Sequence, residues 1–185
     1  MPNNLFYPSI AVTLTATLLI ATYTDIKRRE IPNWLVLFGM IVGFALWTIF
    51  NFPGGIKVSL LGWFSAFSIF LLLGLMGAMA FGDVKLMGTV GMFVGWPYSI
   101  QAVAHTVIAG FFLAIFWVAL SGKLKKTFLN LWIVFSSWVK PGKPRTKLEN
   151  LETSSLPYGI AITLGGIWTL IAIKYPFWDI FNLMK

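Results

Sequence analysis

A chain of 185 residues that is 58% hydrophobic and only 11% charged is far from a soluble domain, where about a quarter of residues carry charge, and it is too short to hide that much apolar surface from water. The formal net charge of +8 would point to nucleic acid in a soluble protein, but here the basic residues lie between apolar runs and read as determinants of membrane orientation. Cysteine is absent, which excludes disulfides and thiolate metal sites.

A helix that crosses a bilayer needs roughly 20 predominantly apolar residues, and the chain offers such runs in series. The first extends from about Leu5 to Thr24 and is followed by the short loop DIKRREIPN. Met1 to Pro8 contains no Lys or Arg, and the basic cluster Lys27, Arg28, Arg29 follows the run instead of preceding it. That order is expected of an anchor with its N-terminus outside and not of a cleavable signal. Pro32 fits the first turn of the next helix, where its missing N–H costs nothing. The second run goes from about Trp34 to Phe50, and NFPGG, Asn51 to Gly55, is a turn signal. The third covers about Val58 to Ala80 and ends at a polar interruption, FGDVK. A shorter fourth run, Leu86 to Trp96, stops at Pro97. The fifth covers about Ser99 to Leu120, and the sixth, beyond a basic region at Ser121 to Ser155, about Leu156 to Ile173.

With the N-terminus outside, alternation places Lys27, Arg28, Arg29, Lys85, Lys123, Lys125, Lys126, Lys140, Lys143, Arg145 and Lys147 inside, and only Lys57, Lys174 and Lys185 outside. That bias supports an all-α, polytopic bundle of about six transmembrane helices. The expected organisation is a single membrane-embedded domain over 1–185, with a cytoplasmic basic loop at 121–155. Within that loop the apolar stretch Thr127 to Val139 is short for a span and is expected to lie in the interface, with Trp132 and Trp138 at headgroup level. Were it to cross, the protein would have seven spans and the later basic cluster would move outside. Gly88, Gly91 and Gly95 in the fourth segment read as close-packing positions between helices.

The acidic residues are Asp25, Glu30, Asp83, Glu149, Glu152 and Asp179. Only Asp25, which closes the first run, and Asp83, which opens the fourth, border apolar segments, and both fall on the cytoplasmic side. A helix from Asp83 to Trp96 rises about 20 Å, less than the roughly 30 Å of the hydrocarbon core. Asp83 is therefore expected below the membrane surface, in a wet pocket formed around an FGD turn. An intramembrane carboxylate is a functional candidate by default. Two that face one pocket cannot both ionise easily and would share a proton, one activating water and the other protonating the carbonyl oxygen or leaving amine. Position alone equally fits Asp25 as a juxtamembrane charge beside Lys27 and Arg28, and Asp83 as a helix N-cap. Spacing does not bring the two together.

At these residues the chain resembles the type IV prepilin peptidases, the GxGD intramembrane aspartyl proteases. Asp25-Ile-Lys-Arg-Arg-Glu-Ile-Pro-Asn33 is similar to the family's aspartate, basic loop and I-P-N. Phe81-Gly-Asp-Val-Lys-Leu86 is similar to its GxGDxKL motif, with Ala80 where the motif has its first glycine. Leu156-Pro-Tyr-Gly-Ile160 resembles the P-x-G segment before the last helix. The resemblance implies that Asp25 and Asp83 are the catalytic pair, and that Gly82 permits a backbone turn beside Asp83. It also implies that Gly82, Lys85, Pro32, Asn33, Pro157 and Gly159 shape the site or bind substrate. The implied partner is a prepilin-like precursor, cut at the cytoplasmic face of the bacterial inner membrane between a basic leader and an apolar helix. No metal, cofactor or nucleic acid is expected. Without a cysteine-rich portion the chain resembles the short, peptidase-only members that serve Flp/Tad-type pili, and N-methylation is expected to be absent. The rival reading from another class is a small proton-coupled transporter or channel, since intramembrane carboxylates also build proton relays. Transporters commonly show internal repeats and midplane sites, and this chain has no repeat. His105, the single histidine, lies in the fifth run and is expected to hydrogen-bond to a neighbouring helix.

Overall fold

A computed structural model describes residues 5–77, 79–120 and 158–175. Pro157, Glu149, Glu152, Asp179 and the expected interfacial helix at 127–139 lie outside the described residues. Within them the chain forms six α-helices and no strand: α1 (Phe6–Arg28), α2 (Asn33–Asn51), α3 (Gly54–Leu75), α4 (Phe81–Val94), α5 (Tyr98–Leu120) and α6 (Tyr158–Lys174). The helices α1, α2, α3 and α5 are long and apolar enough to cross a membrane, and α4 and α6 are shorter. The protein is a multi-pass helical membrane bundle. The chain divides into two units, Met1–Gly110 with Pro157–Lys185, and Phe111–Leu156. Both aspartates belong to the first.

Burial in this unit runs opposite to that of a soluble protein. Leu37, Phe38, Ile41, Leu60, Leu61, Phe64 and Leu72 are exposed, whereas Thr17, Ser59, Thr89, Thr106, Thr163 and Thr169 are buried. Lipid tails are as apolar as leucine, so helices gain by packing small residues closely and by hydrogen-bonding across their interfaces. Along α1 and α6 this produces a polar seam. The Tyr7 hydroxyl donates to the Leu170 carbonyl at 2.5 Å, the Thr163 hydroxyl to the Leu18 carbonyl at 3.2 Å, and the Thr22 and Thr163 hydroxyls meet at 2.6 Å. His105 stacks on Trp168 of α6 at 4.5 Å between ring centroids, and its Nδ1 lies 3.0 Å from the Thr169 hydroxyl. The lone histidine is a helix-to-helix contact, as its position in an apolar run implied.

The centre of the unit is α4, whose residues are buried without interruption from Leu86 to Val94. A helix buried on every face needs neighbours all round, and α1, α2, α3 and α6 provide them, with α3 the most extensive. The α3–α4 contact is backbone on backbone. A Cβ at Gly91 would fall 2.3 Å from the Gly62 carbonyl oxygen, and a Cβ at Gly62 would fall 2.3 Å from that of Gly91. At the far end of α4 the Trp47 indole donates to the Phe93 carbonyl at 2.8 Å, and the Trp96 N–H to the Val58 carbonyl at 3.0 Å. These bonds fix how deep α4 sits.

Several boundaries differ from those expected: the third helix runs from Gly54, inside the expected turn signal, to Leu75, instead of from about Val58 to Ala80. The first helix runs through Asp25 to Arg28, so the aspartate sits in its last turn instead of beyond its end. The fourth begins at Phe81, so Gly82 and Asp83 are helical and the FGD turn expected from sequence is not a turn. The reversal takes place earlier, at Gly77, whose φ of +76° lies in the left-handed region that only glycine enters cheaply. The chain is then extended at Ala80, the N-cap, before α4 starts.

Replacing Gly91 by valine is expected to force α3 from α4 and to lower stability by about 1–3 kcal/mol, read as thermal unfolding in detergent. Gly54→Ala, where a Cβ would meet nothing within 4 Å, is the control and should leave the transition in place.

Candidate active site

The ends of α1, α3, α4 and α6 and the start of α2 meet at one end of the bundle, and every described candidate residue is there. Asp25 is 8% and Asp83 7% exposed, far less than expected of a juxtamembrane charge. Asp25 enters from the last turn of α1, the carbonyl-rich end of a helix, where a negative charge is disfavoured. The compensation comes from another helix: the Gly159 N–H donates to Asp25 Oδ2 at 2.9 Å. Gly159 is the second residue of α6, so this N–H is one of the amides that an α-helix leaves without an internal partner. Fit as well as hydrogen bonding ties the two residues together, because a Cβ at position 159 would lie 2.7 Å from the same carboxylate oxygen.

Asp83 is supported by its own helix. It is the third residue of α4, not the N-cap that position alone allowed, and the backbone amide of the N-cap Ala80 lies near its carboxylate. That is the placement of the return half of a capping box, with a carboxylate three residues into the helix on the side of the N-cap amide. Ala80 has no side chain oxygen to make the other half. The absence of a glycine at position 80 therefore does not open the turn, since the contact uses backbone alone. Asp25 and Asp83 lie within range of each other's charge.

The remaining candidates frame this pair. Lys85 Nζ donates to the Asn33 side-chain oxygen at 3.0 Å, joining the loop after Asp25 to the helix that carries Asp83. Both residues are exposed, so the bond is a rim contact. Pro32 is the N-cap of α2, one residue ahead of the first-turn position expected for it, and its carbonyl accepts from the Leu35 N–H at 3.1 Å. Gly82 faces Ile31, and a Cβ there would meet it at an ordinary 3.6 Å. Its helical backbone does not provide the turn assigned to it from the resemblance.

Both aspartates fall within residues 12–119, the part of the chain that matches the model of the type IV leader peptidase family. The chain belongs to the type IV leader peptidase family. This peptidase matches no curated protein and no solved structure. The family match ends before α6, so Gly159 enters the site through its contact with Asp25 alone. Sequence reasoning missed the Ala80 amide and gave Tyr158 no role. Tyr158 was nevertheless in view, between the proline and glycine of the third motif, and its phenol lies within electrostatic range of Asp83.

Two glycines beside the two aspartates should respond differently to alanine. Gly159→Ala is expected to displace the Asp25 carboxylate and to cost about 1–3 kcal/mol of thermal stability. Gly82→Ala should insert normally and be at least as stable as the parent, because helix propensity favours alanine. Unfolding of the two variants in one detergent decides the point, and an unstable Gly82→Ala would contradict the packing seen here.

Proposed function

We propose that this peptidase is an aspartyl endopeptidase in which Asp25 and Asp83 are the catalytic pair, and that it removes the basic leader from type IV prepilin-like precursors. One observation carries the reading. Two carboxylates from helices far apart in sequence are both buried, and they stand within range of each other's charge at one end of a membrane bundle. A family of peptidases whose match includes both residues gives that pair a reaction to perform.

The chemistry follows from the pairing. Two carboxylates brought together around a substrate favour a state in which they share one proton. The ionised carboxylate takes a proton from a water, whose oxygen attacks the scissile carbonyl carbon. The protonated carboxyl gives its proton to the carbonyl oxygen as the tetrahedral intermediate forms. As the intermediate collapses, one of its hydroxyls returns a proton to the carboxylate that had given one, the C–N bond breaks, and the proton taken from water passes to the leaving amine. The pH dependence belongs to the pair and not to either residue. Gly159 and Ala80 each present an N–H to one member, so neither carboxylate depends on the substrate to hold its position.

Orientation and substrate follow from the charge around the site. Lys27, Arg28, Arg29 and Lys85 cluster at the end that holds the aspartates, which supports a cytoplasmic placement of that end in the bacterial inner membrane. A substrate with a basic leader in the cytoplasm and an apolar helix in the bilayer would bring its junction to the same depth as the pair. A role in pilus assembly or protein secretion follows from such a substrate.

Coexpression with a pilin precursor tests the assignment. Asp25→Asn and Asp83→Asn should each lower leader cleavage by about 10²–10⁴-fold or more, while membrane insertion and abundance stay at the parental level. Full cleavage by either variant would remove the pair from the mechanism.

A further inference from the structure

The first turn of α6 reaches more of the site than Asp25. Tyr158, the residue before Gly159, sets its ring edge-on to Phe70 of α3, with centroids 6.5 Å apart. The other end of the ring lies over Gly110 of α5. A Cβ built at Gly110 would fall 2.6 Å from the phenol oxygen, 3.0 Å from Cζ and 3.3 Å from Cε2. The hydroxyl therefore occupies a notch that exists because residue 110 has no side chain. The phenol is also within electrostatic range of the Asp83 carboxylate. Among the described residues no group shares a hydrogen bond with its oxygen.

We propose that Tyr158 is a positioning residue of the proteolytic site: seated in the Gly110 notch against Phe70, it fixes the first turn of α6 so that Gly159 holds Asp25, and it leaves its hydroxyl free to bond Asp83 during the reaction. One turn of helix then governs both carboxylates. A phenol suits this place because its oxygen both donates and accepts. It serves Asp83 whether that residue holds the shared proton or has passed it on, which a donor-only side chain could not do. The ring supplies the rigid spacing between α3 and α5, and the hydroxyl supplies the group that the reaction can engage. The inference rests on the aspartyl-peptidase reading of Asp25 and Asp83.

The two parts of the side chain separate in a mutant cycle on the purified peptidase in detergent. The substrate is a precursor with a basic leader and one apolar helix, and kcat, KM and thermal unfolding are measured for each variant. Tyr158→Phe keeps the ring and should lower kcat about 10-fold, the scale of one hydrogen bond to a charged group, with KM and unfolding unchanged. Gly110→Ala pushes the hydroxyl out of its notch and should also lower kcat about 10-fold. In a Tyr158→Phe background the same alanine should cost about 2-fold or less, because the atom it would displace is already gone. Parental kcat in Tyr158→Phe, or costs that multiply independently in the double variant, overturns the proposal. The Asp83→Asn variant in the same assay separates the two readings. If it is inactive while Tyr158→Phe and Gly110→Ala are fully active, the positioning role alone is lost. If it cleaves fully, the proteolytic reading fails and takes this one with it.

Discussion

A carboxylate inside an apolar helical bundle has to be met by donors, and the donors a bundle holds in reserve are the amides at helix starts, which have no partner within their own helix. The site is organised around that supply. Asp83 draws on the start of its own helix, through the Ala80 N–H. Asp25 cannot, because it stands at the carbonyl end of α1, so it takes the Gly159 N–H from the start of α6. Two helix beginnings and one helix end must therefore converge at a single level of the bundle. That requirement explains why α4 begins two residues before Asp83 and why the chain before it is extended at Ala80 instead of continuing α3.

The level itself is set from the opposite end. α4 has 14 residues, a rise of about 21 Å, and is held where the Trp96 N–H bonds to the Val58 carbonyl of α3 and the Trp47 indole of α2 bonds to the Phe93 carbonyl. Between these points Gly62 and Gly91 let α3 and α4 touch through their backbones, which fixes the rotation of α4 as well as its depth. Close-packed helices do not slide by fractions of a residue at small cost. The placement of Asp83 thus depends on glycines and tryptophans that never approach it. The glycines read in the sequence as packing positions are packing positions, yet they also determine where the carboxylate lies.

The composition, the succession of apolar runs and the two bordering aspartates made the bundle and the candidate pair legible before any coordinates. What the sequence did not reveal is the contacts made by backbone amides and the exact ends of the helices that supply them. FGD looks like a turn because glycine and aspartate are turn residues, yet Asp83 is equally at home in the first turn of a helix, where its carboxylate can reach back to the N-cap amide. Gly77 takes the reversal instead, and nothing in the residue types distinguished the two glycines. Asp25 appeared to close the first run because Lys27, Arg28 and Arg29 follow it, but basic residues favour the last turn of a helix, and they extend α1 past the aspartate to Arg28. The Lys85–Asn33 contact, by contrast, joins two motif residues through their side chains, and the resemblance had already named both.

The family match ends at residue 119, and the contact that holds Asp25 comes from residue 159. A site built only from the matched segment would leave the Asp25 carboxylate buried at the wrong end of a helix dipole without its amide donor, and a buried charge without partners is among the most costly features a fold can carry. The polar seam between α1 and α6 bears on the same point. The Thr22 hydroxyl, less than one turn before Asp25, donates to the Gly159 carbonyl at 3.3 Å, so both sides of the Gly159 peptide are engaged by α1. Rotation of α6 about its own axis would break the carboxylate contact and the threonine contact together. The last helix is therefore part of the site in the same sense as α1 and α4, and its small residue at position 159 is required by the carboxylate it faces.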